Sequence, residues 1–157
     1  MKKRIFVVAL LLGGFILQKA YSQVHVSAKV NIATQPVWGP VGYDHVEYYY
    51  MPDIDAYYYV PSHQYIYLQH GHWIYASSLP SHYHYNINTG YKVVINEKTP
   101  YHHPETNRKK YASYKGRHDQ ETIRNSHDER YYENKDHPEH HKWKQAHAHG
   151  KNNQNQH

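Results

Sequence analysis

The chain has 157 residues, 17 histidines, 19 tyrosines, no cysteine and a formal charge of +5 with histidine neutral. Lacking cysteine, it has no disulfide to staple it and no thiol to serve as nucleophile, metal ligand or lipid anchor. Lys2, Lys3, Arg4 and Lys19 sit near the start, and without them the basic residues nearly balance the 13 acidic ones, which removes the electrostatic case for a nucleic-acid binder at neutral pH.

Residues 1–22 carry the pattern of an export signal. Lys2-Lys3-Arg4 supplies the positive start, Ile5 to Leu17 the apolar stretch, and Ala20-Tyr21-Ser22 a small-x-small cleavage site. The apolar run is too short to cross a hydrocarbon core of about 30 Å comfortably. The mature chain is therefore expected to be exported, to the periplasm, the outer membrane or the exterior, with no transmembrane segment after signal removal. Histidine titrates near pH 6.5, so mild acidification would make the mature chain strongly cationic.

After the signal, Val24, Val26, Ala28, Val30 and Ile32 alternate with polar residues, a period of two that predicts a strand with one apolar face. Gln35 to Gly42 holds two prolines and two glycines and predicts a turn-rich connection, with Trp38 as an inward plug. Short aromatic runs follow over Val46–Met51, Asp55–Val60, Gln64–Gln69 and His72–Ala76, separated by Pro52-Asp53, Pro61-Ser62 and His70-Gly71. Turn residues at such even spacing predict antiparallel strands joined by hairpins. Alternation along the third and fourth of these strands predicts an aliphatic face (Ile66, Leu68, Ile74) and an aromatic one. His82-Tyr83-His84-Tyr85 predicts a short edge segment, and Tyr91 to Ile95 a final buried strand. The expected fold is all-β: an antiparallel meander of five or six short strands in one small domain, residues 23–101.

From His102 the composition changes. Ile123 is the only branched aliphatic residue between there and the end. A segment so polar buries too little surface to offset its ordering entropy, so residues 102–157 are expected to form a disordered, histidine-rich tail. A short helix over Asp119–Glu133 is conceivable but has no apolar stripe.

Two chemistries stand out. The first is aromatic: Tyr48, Tyr50, Tyr57, Tyr59 and Trp73 on one sheet face would stack on sugar rings of a cell-wall glycan or anchor an envelope protein. The second is histidine spacing: His70-x-His72, His82-x-His84 and His147-x-His149, with the adjacent pair His140-His141. On an extended strand His-x-His puts both imidazoles on one face, and imidazole suits Zn, Cu(II) and Ni. No His-Glu-x-x-His helix, phosphate loop or nucleophile arrangement is present, and Asp53 and Asp55 are explained by turn chemistry. The expectation is a non-enzymatic envelope protein acting through an aromatic sheet face, with a divalent-metal buffer as the alternative.

Gln35-Pro-Val-Trp-Gly-Pro-Val-Gly-Tyr-Asp44, Tyr48-Tyr-Tyr-Met-Pro-Asp-Ile-Asp55 with Tyr57–Tyr59, Gly71-His-Trp73, Ser78-Leu-Pro80 and Gly90-Tyr-Lys-Val-Val-Ile95 together resemble small exported Tyr/His-rich β proteins of Gram-negative bacteria. The resemblance spans roughly residues 24–115. It implies an envelope location and a single repeated-hairpin domain, and brings no activity and no functional residues.

Overall fold

A computed structural model describes residues 31–150, with side chains through Ala148. The export signal lies outside the described residues, as does most of the strand expected over Val24–Ile32. Its last residue is not strand: Ile32 opens a 3-10 turn, Ile32–Thr34, and is buried.

Five strands form one antiparallel sheet: β1 Tyr48–Met51, β2 Ala56–Tyr59, β3 Gln64–Gln69, β4 His72–Ala76 and β5 Val93–Ile95. The order is β4-β3-β2-β1-β5. The first four are thus a meander, and residues 77–92 carry the chain across to place β5 on the free side of β1. In the β3–β4 hairpin His70 and Gly71 both have positive φ, 49° and 80°, the conformation a two-residue type I′ turn requires. All four β1 residues are buried, which the sequence signals as an unbroken run of β-favouring side chains.

The expected split into an aliphatic and an aromatic face does not form. The two-residue turn pairs Leu68 with Trp73 and Ile66 with Tyr75, and Tyr67 with Ile74. Even positions of β3 therefore share a face with odd positions of β4, mixing the two chemistries on both sides.

One face carries Tyr49, Met51, Ala56, Tyr58 and Tyr67, covered by Trp38, Leu79, Tyr83, Tyr85 and Ile87. Trp38 plugs this side, with its ring 5.3 Å from Tyr49 and 4.9 Å from Tyr58. Tyr83 and Tyr85 reach the core from a segment that is not strand: successive bonds from the His84 N–H to the His82 carbonyl and the Tyr85 N–H to the Tyr83 carbonyl curl it. Gly90 admits the Tyr85 ring, since a Cβ there would lie 2.3 Å from it. The other face carries Tyr48, Tyr50, Tyr57 and Ile66, covered by Tyr101 and Tyr111. Rings crossing at these separations add about 0.5–1.5 kcal/mol per pair beyond their burial.

The segment after His102, expected to be disordered, is laid against this framework through residue 148. Helix α1 spans Pro104–Lys110 and α2 His140–Gly150. Proline at the first helical position, Glu105 in the first turn and Arg108, Lys109 and Lys110 in the last complement the α1 dipole. Between the helices, 3-10 turns at Ile123–Asn125 and Glu129–Tyr131 replace the conceivable helix over Asp119–Glu133. Ile123 and Tyr131 join Ile32 and Val37 in a third apolar cluster. A β-bridge pairs Pro40 with Thr122, and the Ile123 N–H donates to the Gly39 carbonyl at 2.8 Å.

Polar groups hold the rest of this segment. Asn107 donates to the Tyr57 hydroxyl and to the Pro100 carbonyl, at 3.0 and 2.9 Å. Gly116 donates its N–H to Asp53, and the Arg108 guanidinium binds Asp55, which also accepts from Tyr50. Gln120 makes a two-bonded pair with the Lys92 backbone. Composition understates such a segment because sparse anchors, each meeting a partner on the sheet domain, replace a continuous stripe. Among the described residues no helix is long and apolar enough to cross a membrane.

Candidate functional site

The aromatic residues expected to bind a partner are mostly interior. Tyr50 and Tyr57 are 1% and 0% exposed. The Tyr57 ring lies 6.0 Å from Trp73 and 6.3 Å from Tyr101, and Tyr111 sits 5.8 Å from Tyr50. Burial raises the Tyr50 and Tyr57 hydroxyls above the usual phenol range; for Tyr50 the bond to Asp55 adds to the effect, while for Tyr57 the bond from Asn107 offsets part of it. Trp73 is half-buried under Tyr101, with ring centroids 5.6 Å apart. Tyr101, just before the tail, and Tyr111 within it have thus covered much of the face expected for a partner.

Two of the five tyrosine and tryptophan candidates remain together at an opening. Tyr48 and Tyr59, paired across β1 and β2, stack with centroids 4.7 Å apart and planes inclined by 28°. They line a groove of about 610 Å³ with His45, Glu47, Asn96, Glu97, Lys98 and Thr99. That volume is in the range of small-ligand sites. Register explains the composition. Tyr48 opposes Ile95 on β5, so the next pair along is Glu47 with Asn96, and the Glu47 N–H donates to Asn96 Oδ1 at 2.8 Å. Asn96 Nδ2 reaches the His45 carbonyl at 3.3 Å, and His45 Nε2 lies 3.0 Å from Glu47 Oε1.

Burial, followed by the neighbouring Tyr101, Tyr59 and Glu47, pushes the Tyr48 hydroxyl up to about 12. It stays a neutral donor across the physiological range. The groove is therefore lined by a stacked tyrosine pair, of which Tyr59 is the more exposed, with an amide, two carboxylates and an ammonium. Such a set grips a polyhydroxylated ring by stacking and by hydrogen bonds at its edge. Sequence reading found Tyr48 and Tyr59 but missed His45, Glu47, Asn96 and Lys98. Only the β1–β5 pairing, joined across more than forty residues, brings these together.

The histidine pairs do not converge. His70 is the first of two left-handed residues in the hairpin turn while His72 starts β4, so the strand alternation that would align them is broken between them. His82 and His84 lie on the curled segment and are exposed. On α2, His140 Nδ1 is 2.7 Å from the Tyr132 carbonyl and His147 Nδ1 is 2.8 Å from the Trp143 carbonyl. His141 is exposed. Positions one or two apart on a helix do not share a face, and the His149 side chain lies outside the described set. Among the described residues no three His, Asp or Glu side chains gather where they could hold a metal ion.

No protein-family model matches the chain, and neither the curated proteins nor the solved structures contain a significant match to it.

Proposed function

We propose that the chain is a non-enzymatic, exported envelope protein that binds a saccharide of the cell-wall glycan in the groove over Tyr48 and Tyr59. One observation carries this reading: the groove is lined by the stacked Tyr48–Tyr59 pair together with the hydrogen-bonding side chains of Glu47, Asn96, Glu97 and Lys98. Aromatic floors take the apolar face of a sugar ring, and the edge groups select its hydroxyls or acetamido substituents. The export-signal pattern read over residues 1–22 supports a location where such glycan is found.

Calorimetric titration with soluble N-acetylated cell-wall oligosaccharides tests this. Saturable binding with a Kd near 0.1–1 mM is expected, on the order of −4 to −5.5 kcal/mol. Tyr59→Ala should weaken it by about tenfold or more, equivalent to ~1.4 kcal/mol, while leaving the far-ultraviolet circular dichroism unchanged. No saturation by about 10 mM, weaker than −3 kcal/mol or so, rules the groove out as a glycan site.

A further inference from the structure

The two edges of the sheet differ in what meets them. Antiparallel pairing turns the N–H and C=O of alternate residues toward opposite neighbours, and the two-residue turn at His70-Gly71 fixes which. Gln69 and His72, Tyr67 and Ile74, and Tyr65 and Ala76 exchange the β3–β4 bonds, so the backbone groups of Trp73 and Tyr75 point away from β3. The same parity carried across the sheet turns Lys92 outward just before β5, where the Gln120 amide meets both its N–H and its C=O, at 2.7 and 2.8 Å. On β4, among the described residues, no hydrogen bond reaches the backbone of Trp73 or Tyr75.

This edge also lacks the devices that keep a strand from pairing. His72-Trp73-Ile74-Tyr75-Ala76 contains no proline, and no Lys, Arg, Asp or Glu occurs anywhere from Ala56 to Tyr91. Its five pairs with β3 are consecutive, with no bulge to twist the edge away. Beside it lie two of the three large apolar side chains exposed among the described residues, Leu68 at 45% and Tyr75 at 51%, on the same face as half-buried Trp73.

The partial charges along this edge are complementary to themselves. About a two-fold axis at Ile74, Trp73 lies opposite Tyr75 of a second copy, and every outward N–H of the two residues faces a carbonyl. The same register sets the Trp73 ring beside the second copy's Tyr75 and covers the exposed face next to Leu68. Such an interface is isologous and closes on itself.

We propose that β4 is the interface of a homodimer, in which two copies pair their β4 strands antiparallel about Ile74 and so join their five-stranded sheets edge to edge.

Sedimentation equilibrium and amide hydrogen exchange of the full chain test this together. Between about 1 µM and 1 mM the mass should pass from monomer to dimer, with a Kd on the order of 100 µM for so short an edge. The Trp73 and Tyr75 amides should exchange about tenfold or more slowly in the dimer, while those of His72 and Ile74, already bonded to β3, change little. In the proposed register the two Tyr75 side chains are diagonal neighbours, so Tyr75→Lys sets like charges about 7–8 Å apart. It should weaken dimerisation by about tenfold or more with unchanged circular dichroism; should that variant not fold, the amide pattern of the parent decides alone. Tyr59→Ala, in the groove, should dimerise as the parent does. A chain still monomeric at about 1 mM overturns the proposal. So does a dimer whose Trp73 and Tyr75 amides exchange as fast as in the monomer, or one that folded Tyr75→Lys forms at full affinity, since association then uses another surface. Slow exchange of both amides in a monomeric sample overturns it too, because a strand of the same chain then occupies the edge.

Discussion

The sheet and the segment that follows it are built on opposite plans. From Tyr48 to Ile95 the interior is continuous: strands adjoin, rings stack across them, and neighbouring positions are buried together. From His102 to Ala148 the buried positions are scattered, Asn107, Thr122 and Ile123, Ser126, Tyr131, Asn134 and His137, with polar, mostly exposed residues between them. The first region can lose a single contact and keep its neighbours. The second depends on each anchor finding its socket on the first, so it is the region in which single substitutions should act locally.

Replacing a residue shared by both regions should have the largest effect. Tyr57→Ala removes a fully buried ring and the acceptor for Asn107, and is expected to cost about 3–5 kcal/mol. Denaturant titration should show one transition, moved to lower concentration. Ile123→Ala comes next, at about 2–5 kcal/mol. Here hydrogen exchange should separate the regions, with amides around residues 120–137 losing protection while those of β1 and β2 keep theirs. Equal loss in both would show that the segment and the sheet are one cooperative unit. Gly90→Ala forces a Cβ into the Tyr85 ring and should cost about 1–3 kcal/mol, read as a lowered Tm. Tyr57→Phe is the mildest, at roughly 1 kcal/mol, because Asn107 keeps its bond to Pro100.

Alkaline pH separates two further contributions. Burial raises the Tyr48 and Tyr58 hydroxyls to about 12 from 10.0. The folded state then holds protons that the unfolded chain releases, so stability is complete below pH 10 and falls between about 10 and 12. Lys92 has the opposite sign. It is buried, with its ammonium 5.7 Å from the Trp38 ring, and burial lowers it from 10.5 to about 8. Between these values the unfolded chain binds the extra proton, so stability should rise from about pH 8 until tyrosine ionisation turns it down. Lys92→Met keeps the stem and removes the charge, so it should raise Tm at pH 7 and abolish that rise. A Tm profile of the variant parallel to that of the parent would show that Lys92 is not responsible.

Much of the sheet is legible in the chain, because its signals are local. Pro-Asp, Pro-Ser and His-Gly mark the turns, and β3 and β4 coincide with the expected spans. The face assignment was within reach as well, since a two-residue loop fixes which parity opposes which. What composition hides is the docking of residues 102–148. Asp53 and Asp55 are explained by their turns until Gly116 and Arg108 are seen to bind them. Of the groove, the two tyrosines could be named from sequence, whereas Asn96 and Glu47 meet only through a strand pairing that no local pattern announces.

The Asn134 amide donates to the carbonyls of Ile32 and Gln35, 102 and 99 positions earlier. These bonds cannot form during synthesis until residue 134 has emerged, so the ring of contacts around Ile32 closes last. Contacts of such long sequence separation form more slowly than the hairpin pairings of the β1–β4 meander, so the sheet is in place before this seam is closed.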